Sequence, residues 1–248
     1  WVRLNRTLSV GELDLSAIVD SSATLPLVAG MSRTAVYGPD PRDDAGREGQ
    51  QLFEAAGSPI DNQRMACINC HPDGMDDGRT WFSNNGPRQT ITLAERLEGT
   101  APYGWTGLSP KLPGYIAGVG FRMVTVWFGQ EREHLAQYAS GLWMPPRPPV
   151  DTDAANRGQD IFFSVEAGCG GCHLKGIDSD GLKHAVPGFE LEFNTPSLKG
   201  LALTAPYLHD GTAPTLEAVL DQTADWMGGS ANLSSGDRAD LVMYLRSL

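Results

Sequence analysis

A mainly α-helical chain made of two tandem copies of one unit, with a short β segment in front, is the fold class this sequence predicts. Three observations predict it. All four cysteines fall in two packets, Cys67-Ile68-Asn69-Cys70-His71 and Cys169-Gly170-Gly171-Cys172-His173. The flanks of the packets match in the same order. Gly49-Gln50-Gln51-Leu52-Phe53 pairs with Gly158-Gln159-Asp160-Ile161-Phe162 upstream. Thr100-Ala101-Pro102-Tyr103 pairs with Thr204-Ala205-Pro206-Tyr207 downstream, and Leu135-x-x-Tyr138 with Leu241-x-x-Tyr244 at the end of each copy. Such self-similarity marks a repeated structural unit. Finally, the first and last stretch of each copy are apolar at helical spacing, whereas the N-terminus alternates and carries β-branched residues.

In chain order, residues 1–44 lie outside the repeat. Val2–Val10 and Glu12–Leu15 around Gly11 predict a β-hairpin. Two strands alone are marginally stable, so this segment is expected to pack on the repeat or to be the edge of a β domain in a longer chain. The first copy is 45–146: a helix whose start Asp43 and Asp44 could cap, the packet, a loop with the Thr-Ala-Pro-Tyr turn, and a closing helix. Met144-Pro145-Pro146-Arg147-Pro148-Pro149 is a semi-rigid connector. The second copy, 147–248, repeats the plan, with Asp151 and Asp153 as capping candidates. The 29 glycines and 17 prolines predict many turns and short helices.

Composition narrows the function classes. Hydrophobic content of 41% and charged content of 20% are those of a globular protein. No apolar run approaches the about 18 residues of a membrane span. The formal net charge of −11 argues against nucleic acid as a partner and suits a basic protein partner.

C-x-x-C-H is the attachment signature of c-type haem. Two thiols form thioethers to the two vinyl groups of one porphyrin, and two intervening residues bring both sulfurs to one ring edge from one helical turn. The histidine that follows supplies the proximal ligand. A zinc site, a thioredoxin-like dithiol or a pair of disulfides would each use such cysteines. None of them requires a histidine directly after both packets. The expectation is therefore two haem c groups, bound through Cys67, Cys70, Cys169 and Cys172 with His71 and His173 on the irons. The fold class becomes mainly α, two tandem class I cytochrome c-like haem domains with a short N-terminal β segment. Haem c is loaded outside the cytoplasm in bacteria, so a periplasmic or extracellular location follows.

The second axial ligand divides electron transfer from chemistry on an open iron. Met123 and Met227 each lie 20 residues after the tyrosine of their turn and are the equivalent pair. Each methionine could instead fill a core gap, Met123 within Phe121–Trp127 above all. His184 is the main rival to Met227. Met75, Met144 and His134 are further candidates, the first too close to His71 and the last expected at the surface. Trp81, Trp127 and Trp143 are expected in core or pocket packing. Tyr103, Tyr207 and His209 are candidates to bond haem propionates or the loop between the copies.

Residues Thr195-Pro196-Ser197-Leu198-Lys199-Gly200-Leu201-Ala202-Leu203-Thr204-Ala205-Pro206-Tyr207-Leu208-His209-Asp210-Gly211 resemble the second-domain signature of bacterial di-haem cytochrome c peroxidases and their MauG-like relatives. The two-unit layout over 45–248 agrees. The resemblance implies a peroxide site at the first haem, fed with electrons by the second. It implies a tryptophan relay between them, matched by Trp105. It also implies a calcium ion between the domains, for which the carbonyls of Thr204 and Pro206 would be ligands. Three departures oppose the peroxidase chemistry or shift its ligands. Phe121-Arg122-Met123 offers no distal carboxylate. No histidine lies between His71 and His134. Gln222 or Thr223 stands where the second-haem methionine is usual, so Met227 would serve from a later position. Pro72–Trp81 is similar to a branch whose haem units follow a β-propeller.

Two functions follow as expectations. The first is electron transfer through two six-coordinate haems. The second is a peroxidase or MauG-type oxidase with an open first haem. The expected partner is a redox protein, a basic cytochrome or one that contains a β-propeller.

Overall fold

The computed structural model describes residues 2–4, 7–11, 31–36, 42–54, 65–83, 86–123, 125–176 and 179–248. They fall into two units, Trp1–Asp44 and Ala45–Leu248.

The first unit holds an antiparallel sheet in the order β1 (Val2–Leu4), β2 (Thr7–Gly11), β3 (Met31–Val36). The expected hairpin is corrected. Leu4 pairs with Thr7, so Val2–Val10 is two antiparallel strands rather than one strand ending at Gly11. Gly11 lies inside β2, opposite Met31, at a register irregularity after Val10. A strand glycine suits such a bulge because it has no side chain to misplace. The expected second strand, Glu12–Leu15, lies outside the described residues.

The second unit is mainly helical. Its helices are α1 (Asp44–Glu54), α2 (Cys67–Cys70), α3 (Leu112–Arg122), α4 (Gly129–Ser140), α5 (Thr152–Phe162), α6 (Leu216–Gln222) and α7 (Ser235–Ser247). Two small antiparallel hairpins interrupt them, β4 (Thr80–Ser83) with β5 (Gly86–Gln89), and β6 (Lys183–Ala185) with β7 (Glu192–Asn194). The hairpins and α3 were not expected from the sequence. Their strands span only three or four residues, and α3 contains Pro113, Gly114, Gly118 and Gly120, poor helix formers held by packing.

One packing scheme occurs twice. α1 meets α4 at Gly49, where an added Cβ would lie 2.1 Å from the His134 carbonyl oxygen and 2.8 Å from Tyr138 Cβ. α5 meets α7 at Gly158, with corresponding distances of 2.0 Å to the Asp240 oxygen and 2.8 Å to Tyr244 Cβ. One turn on, Phe53 meets Tyr138 edge-on at 5.3 Å, and Phe162 meets Tyr244 at 5.2 Å. Leu135 and Leu241 are buried beneath. The repeated glycine, phenylalanine, leucine and tyrosine are thus the residues of a close helix crossing. The two cores are separate clusters, Phe53, Trp127, Leu135 and Tyr138 in one, and Phe162, Leu216, Leu220, Leu241 and Tyr244 in the other.

Helix starts follow the charges. Asp151 accepts from the amides of Asp153 and Ala154. Glu131 Oε2 accepts from the Phe128 amide at 2.8 Å, closing the first turn of α4. The Thr-Ala-Pro-Tyr turns also match. Tyr103 hydroxyl donates to the Leu97 carbonyl at 3.1 Å, and Tyr207 hydroxyl to Leu201 at 3.0 Å. Both tyrosines therefore tie down their own loops. Both Ala-Pro peptides are cis. The proline-rich connector is pinned by Arg147, which donates to the carbonyls of Ser247 and Leu248. No helix among the described residues is long and apolar enough to cross a membrane.

Candidate functional site

The first packet opens onto a cavity of about 130 Å³ that is partly open to solvent. α2 is a single turn, so Cys67 and Cys70, three residues apart, present their sulfurs on one side. Asn69 holds that turn by accepting from the Ala66 amide at 2.6 Å. His71 Nδ1 lies 3.2 Å from the Met75 carbonyl oxygen. A carbonyl only accepts, so the proton sits on Nδ1 and the lone pair on Nε2, the form a metal needs. Burial lowers the His71 pKa, which keeps the ring neutral. Burial also pushes the Cys67 thiol up to about 11, and a thioether would end that titration.

Cys67, Cys70, His71, Tyr115, Met123 and Trp127 line the cavity, among apolar walls from α1, α3 and α4. Among the described residues, none that lines it is a carboxylate. A flat, mostly apolar group with a few polar ends fits this lining. Trp127, 3% exposed, lines it with an indole N–H that has no partner, which an acceptor on the bound group would satisfy. Haem c therefore fits the residues present.

The second packet begins with a 3₁₀ turn, Cys169–Gly171, and His173 is buried beside Phe162. The loop that carries Met227 presses on it. Gly229 donates to the Ala167 carbonyl at 2.8 Å, and a Cβ at Gly228 would lie 3.4 Å from Cys169 Sγ. Met227 is half-buried there. Leu174, Phe163 and Trp226 flank the packet and the loop with large apolar surface still exposed, again fitting a flat apolar group.

Between the copies lies a hydrogen-bonded junction. Trp105 Nε1 donates to the Gln89 carbonyl at 2.8 Å, and the Trp105 carbonyl accepts from the Asn194 amide at 2.7 Å. The Trp105 and His209 rings stand 6.4 Å apart at 74°. Gln89 donates its amide to the His209 carbonyl at 2.8 Å. Its side-chain amide donates to the carbonyls of both Thr204 and Pro206, the two atoms that the resemblance assigned to calcium. Those oxygens thus converge on an amide, and a cation would require that amide to turn its oxygen inward.

The comparisons with known proteins agree with this geometry. A family model described as RoxA-like, cytochrome c-like matches residues 193–225. The methylamine utilization protein MauG of Methylorubrum extorquens is 32% identical over 116 residues, 35% of this chain and 32% of that protein. The hydrazine synthase subunit gamma of Kuenenia stuttgartiensis is 24% identical over 210 residues, 83% of this chain and 41% of that protein. The chain thus spans between a third and two fifths of the length of these curated relatives. A solved structure of the Kuenenia hydrazine synthase superposes with a TM-score of 0.66 at 23% identity, covering 84% of this chain and 88% of that one. A diheme peroxidase from Burkholderia thailandensis superposes with a TM-score of 0.58 at 14% identity, covering 86% and 87%. The chain shares the fold of these hydrazine synthase and diheme peroxidase structures.

Within that fold, the expectations for His134, Trp81 and Trp143 need correction. His134 is not at the surface. It packs into the α1–α4 crossing and pairs through Nδ1 with Glu48 at 2.7 Å. Met144 lies against Gly200, where a Cβ would meet its sulfur at 2.5 Å. His184 is half-exposed and held by Asp180 at 2.8 Å, on the side of Cys172. Trp143 is 83% exposed and Trp81 also reaches solvent, where Asp77 and Thr90 accept from its indole. His209 faces Phe189 and Phe193. Gln89, Asn194 and Tyr115 were not singled out from the sequence. Gln89 and Asn194 act through tertiary contacts that no local pattern announces, whereas Tyr115 lies eight residues before Met123 and shares its helical side.

Proposed function

We propose that the chain is an extracytoplasmic di-haem c electron-transfer module, with one haem domain over 45–146 and a second over 147–248. The observation that carries this reading is the composition of the first cavity, where His71 and Met123 share one apolar lining that holds no carboxylate among the described residues. Haem c supplies a one-electron iron couple. His71 and His173 would hold the irons from the proximal side, while Met123 and Met227 would close the sixth positions. A thioether there raises the potential and keeps peroxide from the metal. Cys67, Cys70, Cys169 and Cys172 would fix both porphyrins covalently. Trp105, bonded to both copies, would lie on the path between them.

The peroxidase or oxidase reading is the alternative. It is favoured by the junction around Trp105 and by relatives whose names carry peroxidase or MauG. Cyanide separates the two. The expected result is a ferric protein in which neither haem binds cyanide and Met123→Ala opens one site. Cyanide perturbing half the Soret absorbance of the unaltered protein would overturn electron transfer in favour of the enzyme.

Calcium at the junction would be held by the carbonyls of Thr204 and Pro206 and by Gln89 with its amide oxygen turned inward, water completing the shell. Dialysis against a chelator should then remove about one calcium per chain and lower the Tm. The partner is a redox protein, and the acidic chain favours a basic one.

A further inference from the structure

Three buried polar atoms in the stretch that leads from Met123 into α4 have no partner: Thr125 Oγ1, Trp127 Nε1 and Arg132 Nε. Thr125 and Trp127 are 6% and 3% exposed. Buried polar atoms are nearly always paired, so three such atoms within eight residues point to a missing ligand. Their chemistry defines it. An indole N–H and a guanidinium N–H can only donate, and the hydroxyl can donate as well. The ligand is therefore an acceptor, and the guanidinium favours an anion.

Their place defines it further. Trp127 lines the cavity that also holds Cys67, Cys70 and His71. The stretch that carries these atoms is folded back on α3: the Thr125 amide donates to the Gly120 carbonyl at 2.9 Å, and Gly120 lacks the Cβ that would lie 2.9 Å from the Trp127 ring. The walls of the cavity are otherwise apolar. A porphyrin tethered by its vinyl edge to Cys67 and Cys70 directs its two propionates away from those sulfurs, and in such walls carboxylates need donors.

We propose that Thr125, Trp127 and Arg132 form the propionate anchor of the first haem. The inference rests on the reading that a haem c occupies this cavity. The same stretch carries Met123, so the connection between α3 and α4, with Arg132 from the first turn of α4, would grip the porphyrin at the iron and at its carboxylate edge. The donors neutralise negative charge near the iron. Removing one should favour the ferric state and lower the reduction potential of this haem alone. It should also raise the propionate pKa, since a buried charge loses its hydrogen bond, and so make the potential depend more steeply on pH.

The test uses the full holoprotein with Trp127→Phe, which keeps the ring and deletes the N–H, and Thr125→Val, which keeps the shape and deletes the hydroxyl. Mass spectrometry first counts the haems. Spectroelectrochemical titration from acid to alkaline pH then gives each potential, and resonance Raman reads the propionate bending mode. The expected result in each variant is one haem with a lowered, more pH-dependent potential and a shifted propionate mode, the other haem being unchanged. Two covalent haems with unaltered potentials and propionate mode in both variants would overturn the anchor while leaving the di-haem reading intact. A protein without covalent haem at the first packet would instead overturn that reading.

Discussion

His71 is half-buried and His209 buried, and burial lowers the pKa of both imidazoles, but they serve different ends. His71 is locked by the Met75 carbonyl with Nε2 free for a metal. His209 is wedged between Phe189 and Phe193, and Arg88 opposes its protonation further while Asp210 favours it. A histidine with a lowered folded pKa binds its proton more readily when unfolded. Its contribution is therefore complete above the unfolded pKa of about 6.5 and is lost as pH falls through the folded value. Urea unfolding should show stability dropping below about pH 6.5, and His209→Gln should flatten that dependence. An equal pH dependence in the variant would contradict this assignment. The sequence singled out His71 through its place after Cys70. It did not disclose the role of His209, because aromatic enclosure is made by residues 16 and 20 positions away and by Arg88 from the other copy.

Helix crossings at Gly49 and Gly158 explain why those residues recur in the repeat. Alanine is the better helix former by about 1 kcal/mol. At Gly158, however, its Cβ would stand 2.0 Å from a backbone oxygen of α7, and no rotamer change relieves a backbone clash. Overpacking costs up to about 3 kcal/mol, so Gly158→Ala should be destabilising by about 2 kcal/mol net, read from the urea midpoint. Gly49→Ala should act likewise on the α1–α4 crossing. An unchanged midpoint would mean that the crossing is looser than described. Helical periodicity made α1, α4, α5 and α7 legible. It missed α3 because its three glycines and proline hide a helix that neighbouring α4 and the cavity hold in place.

The two copies meet through Gln89, Trp105, Asn194 and the Thr204–His209 turn. Gln89 uses its amide, its carbonyl and its side chain in that junction and is 6% exposed. Gln89→Ala would leave two carbonyls without their donor, at a cost of about 1–3 kcal/mol, and the thermal transition should fall. Trp105→Phe removes the indole N–H bond to Gln89 while keeping an aromatic ring. Stopped-flow reduction should show slower equilibration between the haems with both spectra unchanged. Equal rates would exclude Trp105 from the path.

The sequence alone shows the duplication and carries the expectation of thioether attachment. Thioether spacing is a property of consecutive residues, and a copied unit repeats its glycines and tyrosines in order. Tertiary structure decided what lies across space from them. Met123 shares a cavity with His71 only because α3 and α4 fold over α2, and Met144 leaves the contest only because it packs on Gly200. Metal ligation and donor pairing depend on distances between elements, and those are set by packing.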